Sequence, residues 1–244
     1  MSAIVFDIDD TLYSRQDLFI RAASEISGQD MRKVPSFVDT FYAISDLNTE
    51  QLEKGLISTI ESNSWRFDRT FRELGIEVPP DAGNKTAVRY AALQSSIELT
   101  PGFENLLSRL RDSDIEMGIL TAGASEHQWD KYDQLGMERF IPRSKVIVAG
   151  DVGCSKPDTK IFRITEQILC EKQRENIYMV GDSYKHDITG AINAGWRSVW
   201  INRRGRELSA NEIPPSYEVS SEEELIRLLI RLFLEGADIS GCNN

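Results

Sequence analysis

Cysteine is scarce in this chain: Cys154, Cys170 and Cys242 are the only three among 244 residues. An odd number at wide spacing matches neither a zinc site nor a disulfide framework, so reduced thiols are expected. Long apolar runs are missing as well. Nowhere do about 18 apolar residues follow one another, which excludes a helical membrane span. No basic segment precedes a long apolar stretch at the N-terminus, so no secretory leader is expected and the chain reads as cytoplasmic. Positive charge is in deficit, with 28 Lys and Arg against 39 Asp and Glu and a net charge of −11. A balance this acidic offers no basic face to a nucleic-acid polymer. Histidine is limited to His127 and His186, which lack metal-ligand spacing.

Five short apolar segments are present instead: "AIVF" (3–6), "IEMGIL" (115–120), "KVIVA" (145–149), "NIYMV" (176–180) and "SVWI" (198–201). Each has few charges, as parallel strands covered on both faces require. Helical patterns alternate with the later ones. "FENLLSRLRDS" puts Phe103, Leu106, Leu107 and Leu110 on one side, and "DTKIFRITEQILC" does the same with Ile161, Phe162, Thr165 and Ile168. "DITGAINAG" closes on Gly195, a suitable residue past a helix end. Alternation of this kind predicts an α/β fold with a Rossmann-like parallel sheet and helices on both faces.

Residues 15–97 break the rhythm, with helical spacing throughout and no convincing strand. "SFVDTFYAISDL", "TEQLEKGLISTIES", "SWRFDRTFRELG" and "TAVRYAALQSSIEL" read as helices of an inserted α-helical bundle. Its aromatics, among them Phe19, Phe37, Phe41, Phe67, Phe71 and Tyr90, fall at spacings that favour the bundle's own core. The expected organisation is a core of 1–14 and 98–236, a helical insertion over 15–97, and a C-terminal tail at 237–244. "SSEEELIRLLIRLFLEG" predicts a last helix, with Ser221 and Glu224 fitting a capping box.

Polar residues of chemical interest gather where strands end. Asp7, Asp9 and Asp10 follow the first strand, Thr121, Ala122 and Gly123 the second, Lys156 comes soon after the third, and Asp182 and Asp187 follow the fourth. In an open α/β sheet, ligands bind at the carboxyl ends of the strands. Four separated stretches are thus expected on one edge.

The order "DIDDT" (7–11), "LTAG" (120–123), "SKPD" (155–158) and "GDSYKHD" (181–187) resembles the haloacid dehalogenase-like hydrolase superfamily, in its phosphatase branch with a helical cap after the first motif. Asp10 stands where the family usually has Gly. The resemblance implies Asp7 as a nucleophile forming an aspartyl-phosphate, and Asp9 as general acid and base. It implies Mg²⁺ held by Asp7, Asp182 and the backbone carbonyl of Asp9. Thr121, the N–H groups of Ala122 and Gly123, and Lys156 would bind the phosphate. Asp187 would reach the metal through water or hold Lys156, with Ser183 tuning the loop. Mg²⁺ and Lys156 are expected to offset the repulsion between Asp7 and Asp9, and Asp10 is expected to be structural.

The activity so implied is Mg²⁺-dependent hydrolysis of a small phosphorylated metabolite, such as a nucleoside 5′-monophosphate, by a monomer or homodimer. The alternatives are a sugar phosphomutase using the same nucleophile and a non-enzymatic phospho-ligand binding module. Asp9 speaks against a haloacid dehalogenase.

Overall fold

Valine, isoleucine and methionine suit the pleated, doubly covered strand, and the apolar segments build one parallel sheet. The strands are β1 (Ala3–Phe6), β2 (Glu116–Thr121), β3 (Val146–Val148), β4 (Ile177–Gly181), β5 (Arg197–Ile201) and β6 (Tyr217–Val219). Their spatial order is β3-β2-β1-β4-β5-β6, every pairing parallel. The computed structural model describes residues 2–53, 56–113, 115–171 and 173–235. The tail expected at 237–244, and residue 236 at the end of the expected core, lie outside the described residues.

β6 has no counterpart in the expected strands. It is three residues long, half-exposed and at the sheet edge, too short to show a period. Its Val219 carbonyl accepts the Asn202 N–H at 2.7 Å, which ties it to the end of β5.

The sheet is covered on both faces. On one, Ala3, Val5 and Met179 join Ile161 and Phe162 of α8 (Thr159–Ile168) and Ala191 and Ala194 of α9 (Thr189–Ala194). Alternation along the strand sends Ile4 and Phe6 to the other face. There Tyr178 meets Phe233 of α10 (Glu222–Phe233) edge to face, with ring centroids 4.8 Å apart. Helix α5 (Pro101–Arg111) buries the expected Phe103, Leu106, Leu107 and Leu110. The capping box at Ser221 is modified: Ser221 Oγ accepts the Glu224 N–H, but the Glu224 carboxylate reaches Ser220, one residue further back.

The chain divides into two units, Met1–Tyr13 with Glu98–Asn244, and Ser14–Ile97. The second contains α1 (Arg15–Ser27), α2 (Phe37–Glu53), α3 (Thr59–Glu73) and α4 (Ala82–Gln94). Ser14 falls in the helical unit because its Oγ caps α1 by accepting the Asp17 N–H. The stretch read as one helix over 49–62 is split. Ser58 and Glu61 form a full capping box that starts α3 afresh. Phe19, Phe37, Phe41, Phe67, Phe71 and Tyr90 form the core of this unit. Phe19 stacks on Phe41 at 4.3 Å.

In the sheet unit, successive strands run outward from β1 in opposite directions, β2 and β3 one way and β4 to β6 the other. The chain therefore leaves a crevice at the carboxyl ends of β1 and β4.

Candidate active site

Asp7 is the first residue past β1. Its N–H donates to Val180 O on β4 at 2.9 Å, which fixes the start of the loop against the neighbouring strand. The residue is 6% exposed, and its Oδ1 lies 2.6 Å from Lys156 Nζ. Lys156 is equally buried. Its ammonium is 2.6 Å from Asp187 Oδ1 and donates to Leu120 O at 3.0 Å. An ammonium has three N–H donors, and three oxygens surround this one. Burial alone would lower the Lys156 pKa, but the charges of Asp187 and Asp7 overcome it and raise it above the usual range. In Asp7 burial wins instead: it pushes the carboxyl up to about 7, against the pull of Lys156 and with further push from Asp187 and Asp9.

Asp187 belongs to a π-helical turn, Tyr184–Ile188, begun by Ser183. Such turns recur at functional sites. Its Oδ2 accepts the Ser183 N–H at 3.0 Å. Gly181, the last residue of β4, leaves the room this needs. A Cβ there would lie 2.3 Å from Asp187 Oδ2. Asp182 follows, its carbonyl accepting the indole N–H of Trp200 at 2.8 Å. Asp7, Asp182 and Asp187 each offer a carboxylate oxygen, all within 4.8 Å of one another. An all-oxygen, all-carboxylate set without nitrogen or sulfur suits a hard divalent cation such as Mg²⁺.

Asp9 is held separately. Lys131 Nζ donates to both its oxygens at 2.7 Å, Gln128 Nε2 to Oδ2 at 3.1 Å and the Tyr13 hydroxyl to Oδ1 at 2.5 Å. Besides the expected Mg²⁺ and Lys156, Asp9 thus has a cation of its own. Lys131 is 3% exposed and lies on α6 (Ser125–Gln134). Sequence reasoning missed it and Gln128, because a lysine in a polar helix reads as solvated. The available signal was helical spacing: Gln128, Lys131, Tyr132 and Leu135 share the buried side.

Thr121 ends β2 fully buried, and its hydroxyl donates to Gln128 Oε1 at 3.0 Å. Ala122 is half-buried and Gly123 exposed, the latter at φ 118°, outside the range of ordinary side chains. They lead into α6, whose N-cap, Ala124, makes no side-chain capping bond. The first-turn N–H groups are therefore left to other acceptors. Asp10 is buried in left-handed backbone at φ 55°, and Arg203, beyond β5, donates to its carbonyl. The structure thus brings Asp7, Lys156, Asp182 and Asp187 together in one cluster, with Ser183 supporting it. Asp9 and Thr121 join a second network through Gln128.

Comparison with known proteins follows the same lines. The family model for haloacid dehalogenase-like hydrolases matches residues 1–195. Pyrimidine 5′-nucleotidase YjjG of Escherichia coli is 27% identical over 234 residues, covering 93% of this chain and 97% of its own. A glyceraldehyde 3-phosphate phosphatase of Methanopyrus kandleri is 30% identical over 242 residues, covering 95% and 98%. Among solved structures, the magnesium-bound putative HAD-hydrolase YfnB of Bacillus subtilis superimposes with a TM-score of 0.66 at 25% identity, covering 93% of this chain and 98% of its own.

Proposed function

We propose, on the premise that the chain belongs to the haloacid dehalogenase-like hydrolase family, that it hydrolyses a phosphate monoester of a small metabolite by way of a phosphoryl group carried on Asp7. The observation that carries this reading is the buried Asp7 carboxyl held at 2.6 Å by the Lys156 ammonium, with Asp182 and Asp187 beside it. Relatives that are a pyrimidine 5′-nucleotidase and a glyceraldehyde 3-phosphate phosphatase support the substrate class.

In the first step an Asp7 oxygen bonds to phosphorus, the bond from phosphorus to the leaving oxygen breaks, and that oxygen takes a proton from Asp9, which must gain one as substrate binds because the Lys131, Gln128 and Tyr13 contacts favour its carboxylate. In the second step Asp9, now a carboxylate, takes a proton from water. The water oxygen bonds to phosphorus and the bond to Asp7 breaks. Asp7, Asp182 and the backbone carbonyl of Asp9 would hold Mg²⁺, which would neutralise phosphate charge and let the anionic nucleophile approach. Asp187 Oδ2 accepts the Ser183 N–H while Oδ1 stands beside the Lys156 ammonium without a hydrogen-bond partner of its own among the described residues, so Asp187 would hold Lys156 or reach the metal. The uncapped start of α6, with Ala122 and Gly123, and the Lys156 ammonium are the groups for the phosphate oxygens. Residues 15–97 we assign to the family's cap, the part that selects the remainder of the substrate.

The test is phosphate release from a panel of nucleoside and sugar monophosphates. Asp7→Asn is expected to abolish turnover while the circular dichroism spectrum stays native, and a chelator is expected to stop the unsubstituted enzyme. Substantial turnover by Asp7→Asn would sink the covalent route.

A further inference from the structure

Helix α6 supplies the donors of the second network. At its start lies the Thr121–Gly123 turn, and one turn in, Gln128 takes the Thr121 hydroxyl on its carbonyl oxygen and gives its amide N–H to Asp9 Oδ2. Three residues further, Lys131 spans both Asp9 oxygens. Gly123 adds an independent observation. A Cβ at that position would lie 2.9 Å from Gln128 Nε2, so the Gln128 amide packs directly against the turn.

We propose that Lys131 and Gln128 are positioning residues for proton transfer, seating the Asp9 carboxyl at a fixed distance from the turn that holds the phosphate. The proposal rests on the reading of Asp9 as the acid–base group. A merely structural account explains less. Burying an ammonium to 3% exposure carries a desolvation cost that an apolar side chain filling the same space would not. The lysine also reaches no acid of its own helix; it meets a loop carboxyl 122 residues away in the chain. Gln128 and Lys131 share one hydrogen-bonded helix, and the Thr121–Gln128 bond links the turn to both donors to Asp9. A phosphate seated at the helix start would thereby find Asp9 at a set distance from it.

A positioned acid matters in proportion to the basicity of the leaving group. Departure of an alkoxide needs the proton, whereas departure of p-nitrophenolate scarcely does. The test compares kcat/KM on an alkyl phosphate and on p-nitrophenyl phosphate for the unsubstituted enzyme, Lys131→Met and Gln128→Leu. Thermal melts confirm that each variant folds. Gln128→Leu keeps the test available if Lys131→Met is unstable. The expected result is a loss on the order of a hundredfold on the alkyl ester, with a much smaller loss on the aryl ester. Equal losses on both esters, or none on either, would overturn the proposal. Failure of the unsubstituted enzyme to release phosphate from either ester would instead remove the phosphatase reading, and the proposal with it.

Discussion

Asp10 occupies backbone that L-residues enter at a cost of roughly 1–2 kcal/mol, with Asp and Asn the best tolerated after Gly. Asp10→Gly relieves that backbone but removes a buried carboxyl and loosens the unfolded chain, so it is expected to lower the melting temperature only modestly. Asp10→Val, β-branched and ill suited to φ 55°, is expected to cost about 1–2 kcal/mol in urea unfolding. A large loss for the glycine variant would show that the Asp10 carboxyl, and not its backbone, shapes the loop. At this scale legibility in the sequence was uneven. Three aspartates directly after an apolar run declare themselves, since a buried strand seldom ends in like charges without a counter-charge. Lys131 does so only weakly: helical spacing puts it on the buried side with Gln128, Tyr132 and Leu135, but its partner lies 122 residues away and no local pattern names it.

Among the elements, those with a strong period were readable and those without one were not. Helix α10 shows the first kind, with Leu225, Leu228 and Leu229 buried and Ser221 at its start. Ser221→Ala removes the acceptor for the Glu224 N–H and is expected to cost about 1 kcal/mol, measurable by denaturant unfolding. An unchanged midpoint would mean that the Glu224 carboxylate, bonded to Ser220, carries the cap alone. β6 shows the second kind. Three residues at an edge cannot display alternation, and its pairing with β5 comes from the sheet. The break before α3 was hidden for another reason. Apolar spacing continues across it, and only the Ser58 and Glu61 pair marks the restart.

For the whole molecule, the parallel sheet followed from alternation of strands and helices, whereas the strand order that opens the crevice between β1 and β4 had to be seen. That crevice makes stability depend on pH in a definite direction. An unfolded Asp7 loses its proton near its ordinary value of 3.8, but the folded, metal-free carboxyl keeps it to about 7. Between those values the folded state binds more protons, so the Asp7 contribution to stability declines as pH rises from about 4 to about 7 and then levels off. Chelated protein is accordingly expected to lose melting temperature relative to Asp7→Asn across that interval. Added Mg²⁺ is expected to restore it, since the cation favours the ionised carboxylate. Parallel curves for the two proteins would show that Asp7 does not carry this proton.

The strand order also sets a timetable for synthesis. β1 ends at Phe6, but its neighbours begin only at Glu116 and Ile177. At roughly 5–20 residues per second, a ribosome takes many seconds to supply the second of them. The Ser14–Ile97 helices, contiguous in sequence, emerge complete within that interval. Asp7 thus leaves the ribosome long before Lys156, Asp182 and Asp187 exist to surround it. A nascent chain cannot run the proposed chemistry until the fourth strand has joined the sheet.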